Sequence, residues 1–248
     1  MESVFYNKKC IVEYDGIDFH GWQVQKNLRT VQGEIEEKLS KIYKKKINII
    51  GSGRTDAGVH ALGQVFSFRA EKYIPNDSLR LGLNSLLDKD VTILCCEDVP
   101  LTFHAQKSAK SKTYVYKILS GENRSSLLRN RVWWFRREID TEKLYGYLEK
   151  FVGEHDFSSM CTKKSIKDNN IRKINFIEIS SENSILNIEI NANGFLHNMV
   201  RNIVGTTIFL YKKGAPFDEV EKILSKKDRE EAGPTAPPQG LYLKEVFY

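Results

Sequence analysis

INIIGSGRTDAGVHALGQVFSFR, residues 47–69, sets a polar glycine-rich loop between two strand-like runs. The apolar run 47–50 suits a short buried strand. Residues 64–69 alternate as a half-exposed strand does. Between them, GSGRTDAG at 51–58 carries Gly51, Gly53 and Gly58, which let a backbone turn sharply and approach a ligand closely. Arg54 and Asp56 stand in its middle. A guanidinium nearby keeps a carboxylate ionised and oriented, and an accessible carboxylate is suited to act as nucleophile or base. No Gly-Lys-Ser/Thr ends the loop, so it is not a P-loop. The third glycine comes two residues too late for the dinucleotide fingerprint. Spacing alone leaves two readings open: a reactive carboxylate, or a polar turn braced by an internal Arg–Asp pair.

Upstream, 9–14 reads as a strand ending in an Asp15-Gly16 turn. Residues 31–45 read as a helix, with Val31, Ile35, Leu39 and Ile42 on one face. Downstream, 77–86 reads as a helix and 91–97 as a strand. The second half follows with strands at 112–119 and 131–135, a helix at 141–151 and a hairpin of 171–180 and 184–191. Helices at 197–211 and 216–225 and a final strand at 241–248 complete it. Pro216 suits the first turn of its helix. Polar loops are expected at 120–130, 160–170 and 228–240. The order describes an α+β chain, and a duplicated arrangement is compatible with it, although no strong internal repeat is visible.

The chain has 248 residues, 41% hydrophobic and 28% charged, so it can bury a substantial core and belongs with globular proteins. The opening MESVFYNKKC lacks the apolar run of a signal peptide, and no stretch is long enough to span a bilayer, so a cytoplasmic location is expected. Cys10, Cys95, Cys96 and Cys161 form no C-x-x-C pair, which fits reduced, mostly buried thiols rather than a zinc site or disulfide framework. A net charge of +6 suits a polyanionic partner without requiring one.

Tyr114 and Tyr116 alternate on one strand and share a face, which offers either a stacking surface for bases or ordinary cross-strand packing. Arg201, on a mostly apolar helix, needs a carboxylate or phosphate partner. His20, His60, His104, His155 and His197 show no metal-type spacing and fit structural hydrogen bonds or RNA contacts. No G-x-S-x-G elbow is present.

GRTDAGVHALGQV at 53–65 resembles the defining segment of the tRNA pseudouridine synthase A (TruA) family. Five further segments occur in the expected order: YDGIDFHGWQ (14–23), FHAQKSAKSKTYVY (103–116), GEHDFSS (153–159), NGFLHNMVRNIVG (193–205) and APPQGLYL (236–243). The resemblance implies an α+β pseudouridine synthase fold: two ferredoxin-like halves, 1–105 and 106–248, sharing one large antiparallel sheet with a central active-site cleft. It implies isomerisation of uridine to pseudouridine in the anticodon stem-loop of tRNA, at tRNA positions 38–40. Asp56 then matches the catalytic carboxylate. Arg54 matches the arginine that pairs with it and holds the flipped-out nucleotide. Tyr114 matches the tyrosine that packs on the uracil, Leu196 lines the pocket, and Arg201 is expected to face the aspartate. The resemblance also implies a homodimer that binds tRNA and needs no cofactor or metal. Val24, Gln106 and Met160 depart from the common pattern, at positions expected to touch RNA or rim the pocket. They leave room for a paralogue acting on another RNA; an inactive RNA-binding module is the reading from a different class.

Overall fold

The computed structural model describes residues 5–166 and 168–248. Residues 1–4 of the opening segment, and Lys167 inside the expected 160–170 loop, lie outside them. The chain divides into two units, 1–110 with 243–248 and 111–242. Ten strands and five α-helices occur among the described residues, in the expected mixed α+β class.

The first unit runs β1 (Tyr6–Tyr14), α1 (Val31–Tyr43), β2 (Ile50–Gly51), β3 (His60–Ala70), α2 (Asn76–Leu86) and β4 (Val91–Val99). The second holds β5 (Ser111–Ser120), β6 (Trp133–Phe135), α3 (Thr141–Leu148), β7 (Gly153–Asp156), β8 (Ile171–Glu182), β9 (Ile185–Ala192), α4 (Met199–Lys213) and α5 (Glu219–Lys226). The last strand, β10 (Leu241–Phe247), has residues in both units. All ten belong to one sheet, ordered β4-β1-β3-β10-β5-β9-β8-β7, with β2 on β3 and β6 on β5. β1 pairs antiparallel with β3 and β4, and β9 with β5 and β8, whereas β6 lies parallel to β5. In the first unit Ile35, Leu39, Leu79, Leu83 and Ile93 are buried where α1 and α2 meet each other and α2 meets β4, and Phe66 is buried on β3. In the second, Tyr116, Ile118, Leu144, Tyr147, Ile203 and Val204 fill the core around α3, α4 and β5.

Several boundaries differ from those read locally, each for a physical reason. α1 stops at Tyr43 because Lys44 takes a left-handed conformation (φ 52°) that closes the helix. The expected strand 47–50 shrinks to Ile50–Gly51; Ile47 and Ile49 are apolar because they are buried, not because they pair. α3 tightens into a 3₁₀ turn at Glu149–Phe151. Pro216 is not in the first turn of α5. Its carbonyl accepts the Glu219 N–H in a turn ahead of the helix, which starts at Glu219. The hairpin turn is Asn183-Ser184, both with positive φ (50° and 63°), the geometry whose twist matches its strands. β7 is a strand that local patterning did not indicate, because its four residues show no clear alternation. None of the four cysteines is in a disulfide, and Cys95 is exposed while the other three are buried.

Candidate active site

The candidate residues lie in both units, and each group is built locally. In the first unit, Arg54 and Asp56 sit in the connection from β2 to β3. Ser52 starts it: its N–H donates to Val65 O (2.7 Å) and its hydroxyl to Gln64 Oε1 (2.6 Å), while Gln64 Nε2 donates to Gly53 O (3.1 Å). Thr55 is buried and shares a 2.7 Å hydrogen bond with the Tyr14 hydroxyl. Burial pushes the Tyr14 phenol well above its ordinary range, so it stays a neutral hydroxyl at the base of the loop. The Thr55 carbonyl accepts the Trp22 N–H (3.0 Å), and the Val59 N–H closes back onto Asp56 O (3.2 Å).

The segment YDGIDFHGWQ is therefore the cradle of this loop. Tyr14 and Trp22 bond it directly, and the Phe19 carbonyl accepts the Gly58 N–H (3.4 Å). Sequence reasoning recognised both segments but not that one supports the other; the signal was the run of aromatics and glycines without helix or strand periodicity. The glycines also serve differently from expectation. Gly58 does take a left-handed conformation (φ 75°), but Gly51 is required by close approach, since a Cβ there would stand 2.6 Å from the Trp22 indole nitrogen. Asp56 is half-buried and Arg54 exposed. The internal Arg54–Asp56 pair is not formed: the Arg54 side chain makes no hydrogen bond or ion pair among the described residues. Backbone bonds and Thr55 hold the loop, so a brace is unnecessary and Arg54 faces solvent.

In the second unit, Tyr114 lies on β5, nearly buried, with its ring edge-on to Phe195 at 5.0 Å. Tyr116 shares its face but is no stacking platform. It is fully buried and its hydroxyl donates to Pro237 O (2.7 Å), so packing is the correct reading there. Leu196 is buried just ahead of α4, and its carbonyl accepts the Met199 N–H (3.1 Å). Arg201, in the first turn of α4, donates through Nε to Ala236 O (2.8 Å) and through a terminal nitrogen to Asn198 Oδ1 (2.9 Å); the Ala236 N–H returns a bond to Arg201 O (3.1 Å). Part of the expected anionic partner is thus supplied by carbonyl dipoles. Asn198 in turn donates to Thr162 Oγ1 (2.9 Å), and Asn202 to Met160 O (2.9 Å). Three separated segments, 153–160, 193–205 and 236–243, consequently converge on α4.

Of the three departures from the family pattern, Val24 and Gln106 are exposed. Met160 is fully buried beside Thr206, so it fills the core and is not a surface contact. Among the histidines, His104 Nδ1 accepts the N–H groups of Gln106 and Lys107 (both 3.2 Å), and His60 Nδ1 lies 2.9 Å from Asp15 Oδ1 and 3.2 Å from the Gly16 nitrogen.

A family model described as tRNA pseudouridine synthase matches residues 10–106 and 148–248. A protein of Brachyspira hyodysenteriae described as tRNA pseudouridine synthase A is 41% identical over 98% of this chain and 98% of its own. One of the same description from Caldicellulosiruptor saccharolyticus is 44% identical over 96% and 97%. Among solved structures, a chain of a Cbf5-Nop10-Gar1 complex matches at a TM-score of 0.36 and 11% identity, over 81% of this chain and 53% of that one. The glycine-flanked aspartate loop and the arginine-bearing helix fall within the matched residues, so the class is that of RNA-modifying isomerases, the pseudouridine synthases. The chain belongs to the tRNA pseudouridine synthase A family.

Proposed function

We propose that this protein isomerises uridine to pseudouridine in the anticodon stem-loop of tRNA, at tRNA positions 38–40, with Asp56 as the catalytic carboxylate. The observation that carries the reading is the loop. Asp56 is half-buried in a backbone held by Ser52, Gln64, Tyr14 and Trp22, so its carboxylate is presented by a rigid scaffold rather than a loose turn. The reaction breaks the N1–C1′ bond, turns the uracil and joins C5 to C1′. Nothing leaves, and no energy source is consumed. Asp56 supplies the nucleophile or base. Tyr114 and Leu196 pack on the nucleotide and exclude water. Arg54, exposed and unpaired among the described residues, holds the flipped-out nucleotide, and Arg201 belongs to the substrate-binding set that the family resemblance implies. Flipping a stacked base costs a few kcal/mol, offset by phosphate contacts. Two ferredoxin-like halves, 1–105 and 106–248, and a cytoplasmic homodimer as the working form belong to the same reading.

The test is tritium release from tRNA carrying 5-tritiated uridine, with tRNA binding measured in parallel. Asp56→Asn should abolish release and leave binding largely intact, because affinity is a sum of many phosphate contacts whereas an amide is neither nucleophile nor base. Substantial turnover by the folded variant would overturn the assignment.

A further inference from the structure

The connection from β5 to α3 carries a concentration of arginine that the chemistry above does not use. Residues 120–139 read SGENRSSLLRNRVWWFRREI, with Arg124, Arg129, Arg131, Arg136 and Arg137 against Glu122 and Glu138. Five positive charges less two negative give +3, half of the +6 of the whole chain, in 20 residues. All five arginines are exposed. Some cations elsewhere on the surface are neutralised locally: Lys41 pairs with Glu37 at 2.6 Å, Lys222 with Asp218 at 3.1 Å and Lys226 with Glu231 at 2.6 Å. Here the side chains of Arg124, Arg136 and Arg137 make no ion pair or hydrogen bond among the described residues, and Arg129 donates only to a neutral carbonyl, Ser126 O (2.9 Å).

The segment is nevertheless fixed. The Gly121 N–H donates to Phe135 O (3.1 Å) and Trp134 Nε1 to Gly121 O (3.0 Å), which clamps the two arms together. The Ser120 hydroxyl donates to Arg137 O (2.9 Å) and accepts the Ile139 N–H (3.0 Å), and the Tyr242 hydroxyl donates to Arg131 O (2.6 Å). Val132 and Phe135 are buried beneath, while Leu127 at the tip is 90% exposed. Unpaired guanidiniums on a braced backbone lose little freedom on binding, and their planar forks match phosphate oxygens.

We propose that residues 124–137 form a phosphate-gripping surface for the RNA substrate, contributing affinity and not chemistry. The proposal rests on the reading that the substrate is RNA. The test compares the full-length enzyme with Arg124→Gln/Arg136→Gln/Arg137→Gln. A control of equal charge loss is Lys41→Gln/Lys222→Gln/Lys226→Gln, which removes cations already paired. Affinity for unmodified tRNA transcript is measured across a salt series, and turnover at saturating tRNA alongside. Each lost phosphate contact should flatten the slope of log K against log salt by roughly 0.7–0.9, so the arginine variant should lose about 2.1–2.7 from the slope and bind at least about tenfold more weakly near 0.15 M salt. Its turnover at saturation should match wild type, and the control should bind as wild type does. Unchanged affinity and slope in the arginine variant, or equal losses in the control, would overturn the proposal while leaving the isomerase reading intact. Wild type that binds tRNA through these arginines but forms no pseudouridine would sink the isomerase reading and keep the surface. Wild type that does not bind tRNA at all would sink both.

Discussion

Replacing Gly205 by alanine sets helix propensity against tertiary packing. Gly205 lies buried in the interior of α4, where alanine ordinarily gains about 0.8–1 kcal/mol over glycine. A Cβ at this position, however, would fall on the Pro234 carbonyl oxygen, well inside contact distance, and 2.9 Å from Ala236 N. Both neighbours are backbone, so no side chain can swing away. The 233–236 strap would have to lift from the helix. It is held by Gly233 N–H to Thr206 Oγ1 (3.0 Å), Ala236 N–H to Arg201 O (3.1 Å) and Arg201 Nε to Ala236 O (2.8 Å). Weakening three such bonds, at about 0.5–1.5 kcal/mol each, outweighs the propensity gain and leaves a net loss of about 2 kcal/mol. For a chain of this size the melting temperature should fall by roughly 4–8 °C. Gly82→Ala in α2 is the internal control: the nearest atom to its Cβ would be Ile42 Cδ1 at 3.6 Å, ordinary contact. That variant should gain about 1 kcal/mol and melt roughly 2–4 °C higher. Thermal unfolding of both variants by circular dichroism reads the two signs directly. A Gly205→Ala protein as stable as wild type, or more so, would refute the packing argument.

Tyr14→Phe should cost about 1–3 kcal/mol by leaving the buried Thr55 hydroxyl without its 2.7 Å partner, and should lower kcat more than it raises KM, because the loosened loop carries Asp56; equal changes in both would contradict this. The fully buried Lys8 ammonium donates to Asp98 (2.7 Å) and Asn76 (2.8 Å). Burial works against the charge on Asp98, but the Lys8 and Asn76 bonds outweigh it and hold the carboxyl below the usual range. A depressed carboxyl contributes stability above its unfolded pKa of about 3.9 and loses it as pH falls through the folded value. The Asp98 carboxylate is nearly half exposed, so solvent screens the pair, and Asp98→Asn should cost no more than about 1 kcal/mol at neutral pH and flatten the decline in stability below about pH 4; urea unfolding at pH 7 and pH 3 checks it, and an equal penalty at both would refute it.

Local signals located most elements because they depend on near neighbours. The four-residue spacing of Val31, Ile35 and Leu39 marks α1 however the chain packs, and all three are buried. The same kind of signal misled at 47–49, where burial of Ile47 and Ile49 imitates a strand, and at Pro216, whose fixed φ suits a turn as well as a helix start. Asp56 was legible as a candidate from a segment of a few residues. The absence of an Arg54–Asp56 pair was not, because adjacency in a loop does not decide which way side chains point.

By itself the sequence determined the α+β class, the positions of the main helices and strands, the family and the candidate carboxylate. These follow from short-range periodicity and from motifs read a few residues at a time. Only the tertiary structure decided that Tyr14 and Trp22 hold the Asp56 loop, that Met160 is core, that Tyr116 is packed rather than presented, and that 243–248 joins the first unit, where the Tyr248 hydroxyl reaches Ala105 O (2.8 Å). The physical reason is that burial and hydrogen-bond partners come from residues far apart in the chain. Tyr14 meets Thr55 across 41 positions and Tyr248 meets Ala105 across 143, and no local pattern records which distant groups will satisfy a buried hydroxyl or fill the space beside a glycine.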